Sequence, residues 1–315
     1  MMSRMDSSGR CGAADLASAR RIIFVRIQKV GTKSLSAVSL GLADAVSCAW
    51  HACRCQSYDA TRFDAHALRR FWRPCAAAPC ACDHGRAGAL RVFWDDSPHM
   101  TWSDHAAAAF SKLGLRHEQV LWLTWLRSPT ARVLSEYRHA RATTLTAGAR
   151  RVEWDYSVAR GTNLSLLDFL SHPSFAVGAS NRMVRMLGGG VAPLDGASGP
   201  AALALAKRRL ASTAYFGLLE RLRESLWLLR IAFPAAVLRG DAAAISPARR
   251  REYSSDGTGA SFAANFGLPG VVGRDGEDSA MRKLLEVNAL DAALYSYAEG
   301  LFAARLTEAA GCALH

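Results

Sequence analysis

The chain has 315 residues, 50% of them hydrophobic, and its 39 Lys and Arg outweigh 27 Asp and Glu for a formal net charge of +12. That apolar share excludes wholesale disorder, and the length is enough for one large α/β domain with a sizeable core. No apolar stretch reaches transmembrane length and the N-terminal arm holds no leader-like apolar block, so neither a span nor a secretory leader is expected. The positive balance predicts an anionic partner, whether a nucleotide, an acidic polysaccharide, nucleic acid or a membrane face.

Residues 1–20 read as a flexible arm, and the first element follows at once. Ile22, Ile23, Phe24, Val25 and Ile27 form an apolar run that predicts a buried strand, and Leu35, Val38 and Leu42 supply a helical stripe after it. The turn between them carries Lys29, Gly31, Thr32, Lys33 and Ser34. Backbone N–H groups of 31–34 at a helix N-terminus, together with the helix dipole, attract an anion, and Lys29 adds a mobile positive charge. A capped helix with no ligand is the plainer alternative. The turn is not a Walker A loop, because Thr32 separates Gly31 from Lys33 and no glycine stands upstream. No Asp-rich strand end offers itself to magnesium, so the expected ligand is a nucleotide phosphate held without a metal.

Residues 43–98 read as a polar, irregular insertion broken by Pro74, Pro79 and Pro98. Cys48, Cys53, Cys55, Cys75, Cys80 and Cys82 lie in it beside His51 and His84, and their spacing leaves disulfides, structural zinc and reduced thiols all open. The segment SPHMTWSDH then brings His99, with Trp102 close behind. A neutral imidazole accepts a hydroxyl proton near neutrality, which makes His99 a candidate base; a structural or solvated histidine is the alternative.

A second strand over 119–126 runs into Arg127-Ser128-Pro129, and Pro129 suits the first turn of the helix that follows. Arg127 at the strand end and Ser135 about two turns along that helix suit a terminal phosphate monoester, held by an arginine fork and a hydroxyl. Arg132 and Arg138 either face the same channel or pair with Glu136 or Asp168. Two strand-to-helix anion sites imply a nucleotide phosphorylated at both ends. Beyond a loop over 142–163, helices are expected at 165–171, 179–187 (ended by Gly188-Gly189-Gly190), 201–211, 220–233, 279–287 and 289–307. A short strand is expected at 214–218 and loops over 240–275. The organisation read from this is an arm (1–20), a single domain (21–309) and a tail (310–315).

Several of these blocks, in collinear order over about residues 21–307, resemble the heparan sulfate 6-O-sulfotransferases. That family belongs to the carbohydrate sulfotransferases that use 3′-phosphoadenosine 5′-phosphosulfate (PAPS). The blocks are RIQKVGTKS at 26–34, LRSPTARVLSEYRHA at 126–140, NRMVRML at 181–187, the Phe-Gly-Leu-x-Glu core within 215–233, and 288–301. The resemblance implies a P-loop-like sulfotransferase fold, with a central, mostly parallel sheet flanked by helices. It implies that Lys29 and residues Gly31, Thr32, Lys33 and Ser34 hold the 5′-phosphosulfate, that Arg127 and Ser135 hold the 3′ phosphate, and that His99 is the general base, with no metal required. Trp102, Arg182 and Arg185 become candidate acceptor contacts, although either arginine equally reads as a solvated helix charge. The expected partners are the nucleotide donor and an acidic polysaccharide, with no nucleic acid, and the expected reaction is 6-O-sulfation of glucosamine in a heparan-like glycan.

The chain departs from the family pattern at Ser128, where the family has aspartate, at Lys33, where it has threonine, and at Met100, Thr101 and His105 around the histidine. The resemblance further implies disulfides among the clustered cysteines and a Golgi membrane protein, whereas the sequence itself shows no anchor. Other acidic or algal and microbial polysaccharides remain alternative acceptors. An ATP-dependent kinase and a non-catalytic polyanion-binding protein using the basic run 248–251 are the alternatives of other classes.

Overall fold

The structure, a computed structural model, describes residues 21–25, 27, 30, 91–94, 101–112, 114–145, 165–190, 194, 196–233 and 274–313. Strands β1 (Arg21–Val25), β2 (Arg91–Trp94), β3 (Val120–Leu126) and β4 (Tyr215–Leu218) form one sheet in the order β2-β1-β3-β4. Every pairing is parallel, with Phe24 beside Trp94, Val25 beside Thr124 and Leu126 beside Leu218. Parallel strands covered on both faces read as continuous apolar runs, and VLWLTWL in β3 is such a run. Its one polar residue, Thr124, is fully buried and donates its hydroxyl to the Val25 carbonyl at 2.9 Å, which joins the two central strands at their ends.

Helices make up most of the described residues. They are α1 (Trp102–Ala106, running into a π turn at Ala107–Lys112), α2 (Pro129–Leu145), α3 (Leu166–Ser171), α4 (Pro173–Ala179) and α5 (Arg182–Gly188). Beyond these come α6 (Ser198–Ser212), α7 (Leu222–Ala232), α8 (Arg274–Val287) and α9 (Ala289–Ala313). The main core joins the sheet to α1, α5, α6, α7 and α9, and a second apolar cluster of α2, α3, α4 and α8 is built around Tyr137, Phe169 and Phe175.

The end of β4 carries its own fittings. Leu218 N–H donates to the Ser225 hydroxyl at 2.9 Å and that hydroxyl donates to the Leu218 carbonyl at 2.9 Å, so one side chain of α7 satisfies both backbone groups. Tyr215 fastens the same place by donating to the Ser225 carbonyl at 2.9 Å. Ser225→Ala leaves two buried backbone groups unsatisfied, and the expected loss is about 2–4 kcal/mol of unfolding free energy. Urea denaturation checks it: the midpoint falls and the slope stays constant. Gly217 is required by packing, since a Cβ there would stand 2.4 Å from the Trp125 ring.

Several sequence expectations hold with small shifts: the strands at β1, β3 and β4, the Pro129 helix, and the glycine stop at Gly189, which ends α5 with φ 95°. Others are corrected. The stretch read as an irregular insertion contains β2, whose three apolar residues are too few to show a period. The helix read over 179–187 is two helices, because Asn181 takes the left-handed conformation (φ 42°) between α4 and α5. Helix α9, expected over 289–307, runs on to Ala313.

Membrane attachment and disulfides, both implied by the family resemblance, are also corrected. No helix among the described residues is long and apolar enough to cross a membrane. Helix α9 has the length, at 25 residues, but carries Asp291, Glu299, Arg305 and Glu308. The described residues contain a single cysteine, Cys312, so no pair exists there to bridge; the six cysteines of 43–98 lie outside them.

Candidate functional site

The strand order reverses between β1 and β3. From β1 the chain goes to β2 on one side, whereas β3 lies on the other side of β1 and leads on to β4. In open parallel sheets, ligands bind at such a reversal, outside the carboxyl ends of the strands. The two strand exits singled out in the sequence, after β1 and after β3, are therefore adjacent and open on the same edge. Ile27 and Val30, both fully buried, pin the turn after β1 to the core on either side of Lys29. Lys29, Gly31, Thr32, Lys33 and Ser34 themselves lie outside the described residues.

The turn after β3 is fully described. Arg127 is 9% exposed and follows the buried Leu126 at the end of the strand. Ser128 caps α2: its hydroxyl accepts from Ala131 N–H at 3.4 Å and its carbonyl from Arg132 N–H at 2.9 Å. Its own N–H donates to Glu220 Oε1 at 2.9 Å, and Glu220 Oε2 accepts from the Tyr295 hydroxyl at 2.7 Å. Glu220 follows directly from β4, so one carboxylate ties the β3 exit, the β4 exit and α9 together. Burial and the Glu220 charge push the Tyr295 hydroxyl far above its ordinary pKa, so it stays a donor. Pro129 brings no N–H to this turn, and those of Ser128, Ala131 and Arg132 are engaged within the protein. Ser135 is partly buried on α2.

Arg132 is held in the interior by partners other than the two carboxylates expected from sequence. Its fully buried guanidinium donates to the Gly178 and Ala179 carbonyls at 2.9 and 3.0 Å, and Nε lies 3.9 Å from Asp291 Oδ2. Arg182 and Arg185 are not solvated charges either, each being 2% exposed. Arg185 donates to the Ser180 carbonyl at 3.0 Å, and burial followed by the neighbouring Arg182 pushes its pKa down to about 9. Asp291 accepts from Met183 and Val184 N–H at 3.1 and 2.8 Å, capping α5, while Asn181 Oδ1 accepts from Leu290 and Asp291 N–H at 3.0 and 3.1 Å, capping α9. Burial raises the Asp291 pKa although Arg132 and those backbone donors pull the other way.

Comparison of the chain with protein-family models and with curated proteins found no match to either. The geometry stands without them.

His99 lies outside the described residues, but both its flanks are fixed. Trp94 ends β2 level with Phe24, at the carboxyl-end edge of the sheet. Thr101 begins α1 with a reciprocal capping box to Asp104. Trp102, a candidate acceptor contact, is 7% exposed and stacks on Trp122 with ring centroids 4.0 Å apart, so its indole serves the core. Arg209 reinforces this segment, donating to the Ser103 hydroxyl at 3.0 Å and the Leu187 carbonyl at 2.7 Å with its guanidinium over the Trp102 ring. Glu220, Tyr295 and Arg209 were given no role from sequence. Of these, Glu220 stood in the Phe-Gly-Leu-x-Glu core and Tyr295 in the block over 288–301.

Proposed function

We propose that the chain is a PAPS-dependent carbohydrate sulfotransferase of P-loop-like fold, acting on a sugar hydroxyl, with O6 of glucosamine in a heparan-sulfate-like glycan as the preferred acceptor. The observation that carries this reading is the adjacency of the β1 and β3 exits at the reversal of strand order. A nucleotide with phosphates at both ends needs two anion sites a short distance apart on one edge. The donor set fits: Arg127 stands at the end of β3 with Ser135 on the helix beyond. The buried arginines 127, 132, 182 and 185 outnumber the buried carboxylates Glu136 and Asp291, which makes this side of the molecule attractive to a dianion.

Bound PAPS supplies the sulfuryl group. Arg127 and Ser135 hold its 3′ phosphate, and Lys29 with the N–H groups of 31–34 faces its other end. His99 takes the proton of the acceptor hydroxyl as that oxygen bonds to sulfur and the sulfur–oxygen bond to the phosphate breaks. Lys29 and the backbone donors offset charge on the departing phosphate oxygen. The acceptor class is the one the family resemblance implies, and the charge agrees with it, since a +12 chain attracts a uronic-acid-bearing or sulfated polymer.

The test is sulfate transfer from labelled PAPS to heparosan, heparan sulfate, chondroitin and neutral glycans, with and without EDTA, followed by mapping of the product. EDTA-insensitive transfer to glucosamine O6 is the expected result. Transfer to a different glycan replaces the acceptor and keeps the mechanism. Absence of any binding of 3′-phosphoadenosine 5′-phosphate, the desulfated nucleotide, by the folded protein overturns the proposal.

A further inference from the structure

Glu220 is an unexpected neighbour for an anion site. A carboxylate beside Arg127 opposes the binding of a phosphate, and the N–H it accepts from is one that a phosphate would otherwise use. Its geometry gives the reason for its presence. One oxygen accepts from Ser128 N–H at 2.9 Å and the other from the Tyr295 hydroxyl at 2.7 Å, so the side chain joins the β3–α2 turn and the segment after β4 to α9. Tyr295 is 8% exposed on α9, a helix that also packs on β4, and it offers a rigid anchor. Ser128 is the hinge residue between β3 and α2, and its position sets where Arg127 stands before it and Ser135 after it.

We propose that Glu220, anchored by Tyr295, is the positioning residue of the β3–α2 turn, and that it fixes the separation of Arg127 and Ser135 on which binding of the nucleotide 3′ phosphate depends. This rests on the sulfotransferase reading for the identity of the ligand, but the tether itself does not. The role is geometric and does not use the charge. Glutamine keeps an acceptor oxygen for Ser128 N–H and presents an amide to the Tyr295 oxygen, whereas alanine removes both contacts. Phenylalanine at 295 removes the anchor and leaves the Ser128 contact in place.

The experiment pairs two readouts on the full chain carrying Glu220→Gln, Glu220→Ala or Tyr295→Phe. Calorimetry measures binding of 3′-phosphoadenosine 5′-phosphate, and amide hydrogen exchange reports on residues 128–133. The expected result is a Kd within about threefold of wild type for Gln, at least about tenfold weaker for Ala, and between the two for Phe. Exchange at 128–133 rises in Ala, stays at the wild-type level in Gln, and is otherwise unchanged across the sheet. Affinity in Gln as weak as in Ala, or in Ala as strong as in wild type, overturns the proposal. If wild type binds none of this nucleotide, the sulfotransferase reading falls and exchange decides alone: a rise in Ala reversed in Gln supports the tether, and an unchanged turn overturns it.

Discussion

His99→Ala is expected to lower kcat for sulfate transfer by about 10²–10⁴-fold while leaving the affinity for 3′-phosphoadenosine 5′-phosphate within about threefold of wild type. The asymmetry follows from the division of labour. On the proposed reading the nucleotide is held at the exits of β1 and β3, whereas His99, which in sequence falls between β2 and α1, acts on the acceptor. Thr101 and Asp104 cap α1 without help from the imidazole, and Trp102 is locked onto Trp122, so the substitution leaves the neighbouring fold in place. The pH profile gives a second check. A histidine base works only in its neutral form, because the imidazolium has no lone pair to accept a proton, so the wild-type rate is expected to fall with an inflection toward acid pH. The residual rate of the variant lacks that inflection. A loss smaller than about tenfold, or a matching loss of nucleotide affinity, removes His99 from the role of base.

The largest effect on stability is expected at Asp291. Alanine there strips the cap from Met183 and Val184 N–H, removes the counter-charge of Arg132, and leaves Arg185 with one fewer compensating carboxylate, all in a fully buried setting. Removing one partner of a buried ion pair costs about 3–5 kcal/mol, because the remaining charge is stranded. That is a large share of the margin of an ordinary domain. Asp291→Asn is expected to cost less, because the amide oxygen still accepts from one of the two N–H groups. Urea midpoints of the two variants, read with far-ultraviolet circular dichroism, test the order. Equal losses would assign the whole effect to charge and none to capping.

Where the local signal was strong, the sequence was enough to place the element. Continuous apolar runs marked β1, β3 and β4, and Pro129 and the glycines after Leu187 marked helix ends. Three features escaped for identifiable reasons. Strand β2 is a strand only because β1 lies beside it, since RVFW carries no period of its own. The break at Asn181 depends on hydrogen bonds to residues about 110 positions away, which no local window contains. Arg132 reads from spacing as a channel residue or a partner of Glu136 or Asp168, and Arg182 and Arg185 as acceptor contacts or solvated helix charges, yet tertiary carbonyls and Asp291 draw Arg132 and Arg185 inward. At the candidate site, the Arg127 turn was legible as strand, then Arg, then Ser-Pro. The part played by Glu220 was not, because a glutamate 92 residues downstream gives no hint of which N–H it will meet.

The mutual capping of α5 and α9 bears on when the protein can fold during its synthesis. Asp291 lies 107 residues beyond Val184, and each helix takes its terminal hydrogen-bond partners from the other. At translation rates of about 5–20 residues per second, that gap is about 5–20 s during which α5 exists on the nascent chain with its first turn unmet. The buried arginines beside it wait for the same carboxylate. Met183 and Val184 N–H gain these partners only when the segment around 288–291 has left the ribosome.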